Sequence, residues 1–393
     1  MKSEWKTIRA EEFCSLVTDG THDSPKPQAA GRKLITSKHL KGYYLDFESA
    51  NWISNEDYEK VIARSSVEQW DILYSMIGTI GNVYLEKNPV VDYACKNVGI
   101  FKFGGDCNKA YWMYYYLKSS QAMEFIKAHL RGTTQLYVPL ATLREMPVPV
   151  PDEEEMNKIV AILRTLDDKI QCSIKINDNL YAQVKAIFSE NFLNLDFLPD
   201  GWKTGNLLDI ADYLNGLAMQ KYRPQDGESG LPVLKIKELR QGICDNNSEL
   251  CSPSIKSEYI IHDGDIIFSW SGSLLIDIWC GGTCGLNQHL FKVTSNNYDK
   301  WFYYLWTAHH LDRFIAVAAD KATTMGHIKR EELEKAEVII PSKCDYKRIS
   351  TLIKPLFDLI ISNRIENRKL TALRNTLLPK IMSGEIDVAN IQL

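Results

Sequence analysis

Two long segments of the chain carry apolar residues at alternating steps of four and three. The stripe of the first segment consists of Ile159, Leu163, Leu166, Ile170, Asn177 and Leu180. The stripe of the second consists of Ile349, Ile353, Leu356, Ile360, Asn367 and Leu370. Such steps keep side chains on one face of an α-helix and form the seam of a coiled coil. The pattern predicts two long helices, over residues 151–192 and 341–384, that pair antiparallel through these stripes.

Both stripes become polar near their middle, at Ser173 and Asn177 in one and at Asn363 and Asn367 in the other. Because the centres of antiparallel helices meet, these groups predict a buried polar layer that fixes the register at some cost in stability. The alternative is a layer that water solvates where the helices splay. Pro355 lies within the second helix and predicts a kink or a brief interruption, because proline removes one helical hydrogen bond.

The two stripes are related by a stride of 190 residues, and the repeat continues outside them. Residues 5–7 match residues 202–204, and residues 71–75 match residues 265–269. Matches in this order indicate a tandem duplication. Two copies of one unit predict two similar binding surfaces and a ligand that has two spaced parts.

A chain of 393 residues is too long for one core and suits two domains plus connecting helices. Short β-prone segments bounded by Gly or Asp, such as residues 71–75 and 265–269, predict mixed globular domains over residues 1–150 and 193–340. Residues 385–393 form a C-terminal tail. The predicted fold class is α+β.

Aromatic runs at residues 111–117 and 301–306 begin helices in both copies. They could stack on unpaired bases. Their helical spacing and their presence in both copies favour a place in the core instead.

Neither a run of about 20 apolar residues nor a signal peptide is present, so we expect a cytoplasmic protein without a membrane partner. Nine cysteines without a framework spacing are typical of a reducing compartment. Cys280 and Cys284 could belong to a zinc site, but their spacing is loose and the first copy has no equivalent. We expect ordinary thiols and no metal.

The net charge of −4 is unevenly distributed along the chain. Residues 151–199 carry −4 and residues 341–393 carry +4, so the two long helices are suited to pair with each other. Residues 1–150 carry +1 and residues 200–340 carry −5. If the second domain binds DNA, its positive charge must be gathered on one face.

The sequence lacks the motifs of several enzyme classes. It has no Gly-x-x-x-x-Gly-Lys-Ser/Thr phosphate loop and no Gly-x-Gly-x-x-Gly segment after a strand. It also lacks the Asn-Pro-Pro-aromatic or Asp-Pro-Pro-aromatic tetrapeptide with which aminomethyltransferases hold a flipped base. We therefore predict a chain without catalytic residues and without a cofactor of its own.

The tandem plan and several local segments resemble the specificity subunit of type I restriction-modification systems. The segments are residues 18–22 (TDGTH), the proline-rich entry to the first helix at residues 147–151, and the entry to the second domain at residues 198–203. The resemblance covers essentially the whole chain. The family often has a Glu-Gln pair near the start of each helix, where this chain has Glu154-Glu155 and Cys344-Asp345.

The resemblance implies a subunit that reads double-stranded DNA and catalyses nothing. Two target recognition domains would each read one half of a bipartite site, and the helices would act as a ruler and dock two modification subunits. Those subunits would methylate adenine from S-adenosylmethionine, and the assembly can recruit ATP-driven restriction subunits. S-adenosylmethionine, ATP and Mg²⁺ would therefore be bound by the partners.

Candidate DNA contacts follow from chemistry, because polar and basic loop residues read base edges and phosphates. In the first domain the candidates are Thr18, Asp19, Thr21, His22, Lys38, His39, Thr79, Arg131, Thr133, Thr134 and Gln135. In the second domain they are Asn215, Lys221, Arg223, Lys235, Lys237, Ser271, Ser273, Lys321, Thr323, Thr324 and His327. The alternative for each is a solvated loop or a turn cap.

Two other classes of function remain open. One is a scaffold whose two domains grip proteins, with the coiled coil as a spacer and without DNA specificity. The other is a stand-alone methyltransferase or nuclease, which the missing motifs disfavour.

Overall fold

The computed structural model describes residues 5–320 and 328–388. Contacts divide the chain into a first unit, Met1–Asp168 with Ala372–Leu393, and a second unit, Lys169–Thr371. Each unit contains one mixed domain and parts of both long helices. The contacts group the helical residues with the domains because the helices pack on them, whereas the predicted boundaries at residues 150, 192, 340 and 384 follow the sequence repeat.

The first domain is built from short strands and helices. Its strands are β1 (Lys6–Arg9), β2 (Leu16–Asp19), β3 (Arg32–Thr36), β4 (Asn51–Ile53), β5 (Ile72–Ser75), β6 (Val83–Leu85), β7 (Tyr93–Lys96), β8 (Val98–Lys102) and β9 (Pro147–Val150). Its helices are α1 (Ala10–Phe13), α2 (Asn55–Ser65), α3 (Cys107–Leu117), α4 (Ser120–Ala128) and α5 (Leu140–Glu145). The first long helix, α6 (Glu153–Phe188), follows.

The second domain repeats this plan. Its strands are β10 (Lys203–Asn206), β11 (Asp212–Asn215), β12 (Leu231–Leu234), β13 (Leu250–Cys251), β14 (Ile260–Ile261), β15 (Ile266–Ser269), β16 (Leu275–Ile278), β17 (Cys284–Leu286), β18 (Leu290–Thr294) and β19 (Glu337–Ile340). Its helices are α7 (Leu207–Ile210), α8 (Ile236–Gln241), α9 (Lys300–His309), α10 (Leu311–Asp320) and α11 (Arg330–Glu334). The second long helix is α12 (Lys343–Met382).

Sheet topology shows the duplication directly. The strand order β2-β8-β5-β6 in the first domain corresponds to β11-β18-β15-β16 in the second. Two further sheets, β4-β3-β7 and β13-β12-β17-β14, each contain one parallel pair, β3 with β7 and β12 with β17. The prediction of two mixed domains with two long helices is confirmed.

The aromatic runs belong to the core, as predicted. Every side chain from Ala110 to Leu117 on α3 is buried, and so is every side chain from Trp301 to Thr307 on α9. These helices cover one face of the four-stranded sheets, so their rings are not available for stacking on bases.

The two long helices begin with side-chain caps. Asp152 Oδ1 accepts a hydrogen bond from the Glu155 amide at 2.8 Å, and Ser342 Oγ accepts one from the Asp345 amide at 3.2 Å. Helix α12 continues through Pro355 without interruption. Gly384, with φ of +66°, follows the end of this helix.

Within the second unit, α6 and α12 pack antiparallel. Lys169 Nζ lies 3.7 Å from Glu366 Oε1, and Asn177 Oδ1 accepts a hydrogen bond from Asn363 Nδ2 at 2.9 Å. The core of this unit contains Leu180 and Val184 together with Ile353 and other residues of α12. In the first unit, the start of α6 and the end of α12 share one core with the domain.

The predicted stripes divide by burial. Buried members are Ile159, Leu163, Ile170, Leu180, Ile349, Ile353 and Ile360. Half-buried members are Leu166, Asn177, Leu356, Asn367 and Leu370. Phe357 is buried beside the half-buried Leu356, because a helix of 3.6 residues per turn drifts against a strict seven-residue repeat.

The charges of the helices are used differently from the expected simple pairing. Arg364 and Arg368 of α12 each bind a carboxylate of the second domain through two nitrogens, at 2.7 to 2.8 Å, and the carboxylates are Asp277 and Asp263. The pair of Lys169 and Glu366 has the sense opposite to the net charges of the segments. Part of the acidity of the second domain therefore serves to hold α12.

Candidate nucleic-acid interface

In the first domain, five loops meet at the edge where β3 and β7 end; we call this the first loop edge, residues 19–22, 37–39, 76–81, 96–97 and 131–137. The two strands are parallel, and Thr36 pairs with Lys96, so the loops that follow them start side by side. Ser37 Oγ donates to the Asn97 carbonyl at 3.0 Å and accepts from the Met76 amide at 3.2 Å. Thr79 Oγ1 donates to the Ser37 carbonyl at 3.1 Å. A serine thus joins three of the loops.

His22 is the most exposed of the histidines predicted for this domain, with 64% of its side chain accessible. Its Nδ1 lies 2.9 Å from Asn97 Oδ1, and its Nε2 lies 3.0 Å from Asp19 Oδ2. Arg64 donates to the other oxygen of Asp19 at 2.9 Å. Because Asp19 is only 3% exposed, this network holds the imidazole in one orientation toward solvent.

The backbone around His22 depends on one close approach. A Cβ at Gly20 would lie 2.3 Å from the Cys95 carbonyl oxygen, so only glycine fits against β7 there. Gly216 has the same relation to the Asn287 carbonyl oxygen in the second domain, at 2.2 Å. The two copies therefore build this turn in the same way.

The turn at residues 131–137 is exposed along its whole length. Arg131 and Tyr137 exchange backbone hydrogen bonds of 2.9 and 3.0 Å, and Gly132 adopts a φ of +92°. The turn presents four of the candidate residues, Arg131, Thr133, Thr134 and Gln135, to solvent. Sequence reasoning missed the exposed Leu136 and Tyr137, whose apolar character suggested no DNA contact.

Other candidates of the first domain lie deeper. His39 is 2% exposed, and its Nδ1 accepts a hydrogen bond from the Thr36 amide at 2.9 Å. Burial lowers the pKa of this histidine. Thr21 is also buried, and its Oγ1 accepts from the Asp23 amide at 3.1 Å. Asp19, Thr21 and His39 are therefore buried residues that stabilise the loops. Lys38 and Thr79 are exposed, and Thr18 is half-buried.

The second domain forms the equivalent edge where β12 and β17 end; we call it the second loop edge, residues 215–218, 235–237, 270–273 and 287–289. Trp270 Nε1 donates to Asn215 Oδ1 at 3.0 Å. Ser271 Oγ lies 3.0 Å from His289 Nδ1. Ser273 is exposed and Ser271 is buried. Asn215 and Ser271 are thus brought into one network, which adds Trp270 and His289 to the residues chosen from the sequence.

The basic candidates of the second domain are mostly engaged in ion pairs. Arg223 Nη2 lies 3.2 Å from Glu249 Oε2, and Lys235 binds the other oxygen of the same carboxylate. Lys237 Nζ lies 3.7 Å from Asp245 Oδ2. Lys221 is exposed. Lys321, Thr323, Thr324 and His327 lie outside the described residues.

The described part of the chain contains neither a metal-binding cluster nor a helix that could span a membrane. Across residues 5–320 and 328–388, no three side chains of His, Cys, Asp or Glu come together as a metal site would require. Over the same ranges, every helix is too short or too polar to traverse a lipid bilayer.

Known proteins match this chain along nearly its full length. A family model described as the type I restriction modification DNA specificity domain matches residues 2–182 and, a second time, residues 199–373. The MjaIX specificity subunit of a type I restriction enzyme from Methanocaldococcus jannaschii is 26% identical over 386 residues, covering 91% of this chain and 87% of the relative. The HindI specificity subunit from Haemophilus influenzae is 19% identical over 404 residues, covering 82% of this chain and 88% of the relative.

A solved structure has the same fold. The S subunit of a type I restriction-modification system from M. genitalium matches with a TM-score of 0.60 and 15% identity, covering 96% of each chain. The family model matches the chain twice in tandem and covers most of its residues. This agrees with the duplicated sheets and the repeated glycine turn. The chain therefore belongs to the type I restriction-modification DNA specificity family.

Proposed function

We propose that the chain selects a bipartite DNA site, with each domain reading one half through its loop edge. The observation that supports this proposal is the repetition of one loop edge in both domains, with the same glycine turn and different polar side chains. His22, Asn97 and Gln135 stand at the first edge, whereas Trp270 and His289 stand at the second. A shared backbone with different side chains suits two readers of different base sequences.

The long helices would set the spacer between the half-sites. Helix α6 has 36 residues and α12 has 40, so each spans more than one turn of DNA, about 34 Å. We also propose that these helices dock two modification subunits and that restriction subunits join the assembly. The specificity subunits to which the chain belongs are non-catalytic, so S-adenosylmethionine, ATP and Mg²⁺ would be bound by these partners, in the cytoplasm.

Mapping of methylated adenines tests the proposal. Cells that carry the modification subunit would be compared with and without this chain. The expected result is one split motif, with fixed half-sites and a fixed gap, that is methylated only when the chain is present. Methylation of a continuous motif, or methylation that is independent of the chain, would contradict the proposal.

The role of the helices can be tested separately. Seven residues would be inserted after Asp168 in α6 and after Thr371 in α12, at the boundary between the two compact units. Two helical turns are added, so the gap should lengthen while both half-sites keep their sequence. An unchanged gap would show that the helices do not measure the spacer. The rival function, a protein-binding scaffold, predicts no methylation motif in either experiment.

A further inference from the structure

In the second domain a single carboxylate binds two of the basic residues at the predicted DNA face. Glu249 Oε1 binds the ammonium group of Lys235, and Glu249 Oε2 lies 3.2 Å from Arg223 Nη2. Arg223 Nη1 also donates to the Leu250 carbonyl at 3.5 Å. The three charged side chains form one group, which we call the Glu249 triad: Arg223, Lys235 and Glu249.

Strand pairing explains why these residues meet. Strands β12 and β13 are antiparallel, and the Val233 amide donates to the Glu249 carbonyl at 2.7 Å. Lys235 directly follows β12, so its side chain can reach Glu249 across the pair. The Asn287 amide donates to the Leu234 carbonyl at 3.2 Å, which places Lys235 at the second loop edge.

The side chains of the Glu249 triad are partly exposed, although the Oε2 atom of Glu249 is itself shielded from solvent. The exposed fractions of the Arg223, Lys235 and Glu249 side chains are 51%, 35% and 38%. Among the described residues, none donates a well-aligned hydrogen bond to Glu249 Oε2, although Arg223 lies near it. The two cations hold the pKa of the Glu249 carboxyl below its usual value, Lys235 most strongly, so the group is ionised at neutral pH. Exposed ion pairs contribute little stability and exchange easily.

The first domain presents its cations differently. Lys38 and Arg131 are exposed at the first loop edge, and within the described residues no carboxylate lies in ion-pair distance of either. This contrast matches the net charges of the two domains, +1 for residues 1–150 and −5 for residues 200–340. The carboxylate of the first loop edge, Asp19, is buried and binds Arg64, whereas Glu249 is partly exposed and binds two of the predicted DNA-contacting cations of the second domain.

We propose that Arg223 and Lys235 form a DNA-phosphate site that Glu249 fills in the free chain as an internal phosphate mimic. The proposal rests on the function proposed above. A carboxylate and a phosphate both accept charge-assisted hydrogen bonds from guanidinium and ammonium groups, so each can replace the other. Glu249 would then weaken the sequence-independent attraction of the second domain for DNA, since every phosphate bound there must displace it.

The test compares Glu249→Gln with Glu258→Gln in the full chain. Glu258 is an exposed acid of the same domain outside the triad, so the control has the same change of net charge. Binding to a random-sequence duplex would be measured from about 50 to 200 mM salt. Releasing two cations should steepen the slope of log affinity against log salt concentration by about 1 to 2. Each added phosphate contact then costs about 3-fold more affinity over that salt range. The Glu258→Gln slope should equal the wild-type slope.

Three results would overturn the proposal. One is a Glu249→Gln slope equal to that of the wild type. Another is a gain in affinity for the random-sequence duplex that persists in the triple variant Glu249→Gln with Arg223→Gln and Lys235→Gln. This variant removes the phosphate site. The third is a changed base preference without a changed slope, which would make Glu249 a reader of bases. These three results would leave the split methylation motif of the wild type unchanged, so the proposed function would still hold. Absence of that motif would instead reject the proposed function.

Discussion

Asn363 Nδ2 donates a hydrogen bond to Asn177 Oδ1 at 2.9 Å, which joins α12 to α6 through two side-chain amides. Asn177 Nδ2 in turn donates to the Ile360 carbonyl at 3.2 Å. Ser173, one turn earlier on α6, is 3% exposed. Two of the four residues predicted for the polar layer therefore contact each other directly, and the layer is a contact between the helices.

We expect Asn363→Leu to lower the free energy of unfolding by about 1 to 3 kcal/mol, because it leaves the Asn177 amide oxygen half-buried without its donor. Urea denaturation measures this change. The double variant Asn177→Leu with Asn363→Leu should lose less than the sum of the two single variants, since no amide is then left unpaired. Ser362→Ala, an exposed neighbour on α12, is the control and should have no effect.

A second polar contact joins the helices in the first unit, where Arg374 Nη1 binds Asp167 Oδ1 at 2.7 Å. The exposed fractions of these side chains are 12% and 6%. Tyr115 donates to the other oxygen of Asp167 at 3.1 Å, and Tyr43 donates to Oδ1 at 3.4 Å. One carboxylate thus contacts α12, α3 and the loop that carries Tyr43.

We predict that Asp167→Leu destabilises the chain by about 3 to 5 kcal/mol, because it leaves the buried Arg374 charge without its counter-ion. Asp167→Leu with Arg374→Leu should recover part of this loss, since it removes the unpaired charge but still leaves the Tyr115 hydroxyl without its acceptor. Thermal and urea unfolding of the three proteins give the coupling energy. Equal losses in the single and double variants would mean that the ion pair contributes nothing specific.

The lowered pKa of Lys118 leads us to expect that stability depends on pH. Burial lowers its pKa from 10.5 to about 8, although the nearby Asp167 opposes the shift. The ammonium group lies 3.9 Å from the ring centre of Tyr114 and 4.6 Å from that of Tyr43. Between pH 8 and 10.5 the unfolded chain binds more protons at this residue than the folded chain does. Stability from this residue should therefore increase with pH, by at most about 1.4 kcal/mol per pH unit.

Urea unfolding of the wild type and of Lys118→Met at pH 7.5 and 9.5 measures this effect. The difference between the two proteins matters, because the tyrosines and cysteines that also titrate are common to both. Lys118→Met should be more stable than the wild type at the lower pH, and its advantage should shrink at the higher pH. An advantage that is the same at both values would contradict the lowered pKa.

Substitutions at one loop edge should alter one half-site. Gln135→Ala removes an exposed amide from the 131–137 turn and should lower discrimination at one base pair by about 1 to 3 kcal/mol. The matched substitution at the other edge is Asn215→Ala, which removes the exposed amide that accepts a hydrogen bond from Trp270. Methylation mapping should show relaxed bases in different halves for the two variants. Relaxation of both halves by Gln135→Ala alone would contradict independent reading.

The period of the apolar residues was sufficient to predict the two long helices, because a stripe at steps of four and three is a local property of the chain. The stride of 190 residues likewise predicted two domains of one fold. The sequence also predicted that the aromatic helices are buried, because aromatic residues at helical spacing in both copies favour a place in the core.

Only the tertiary structure decided which side chains share a surface. Arg364 and Arg368 belong to a helix expected to pair with another helix, yet they bind Asp277 and Asp263 of the second domain. These partners are 87 and 105 residues apart in sequence, and no local pattern encodes such a distance.

The loop edges have the same origin. Asp19 and His39 look like exposed polar residues in the sequence, but packing within the first domain buries them and leaves His22 and Lys38 at the surface. Sequence periodicity thus determined the elements and their duplication, because these depend on neighbours along the chain. The ion pairs, and the choice of which loop side chains are buried and which are exposed, were decided by packing between distant segments, where burial and charge pairing act through space.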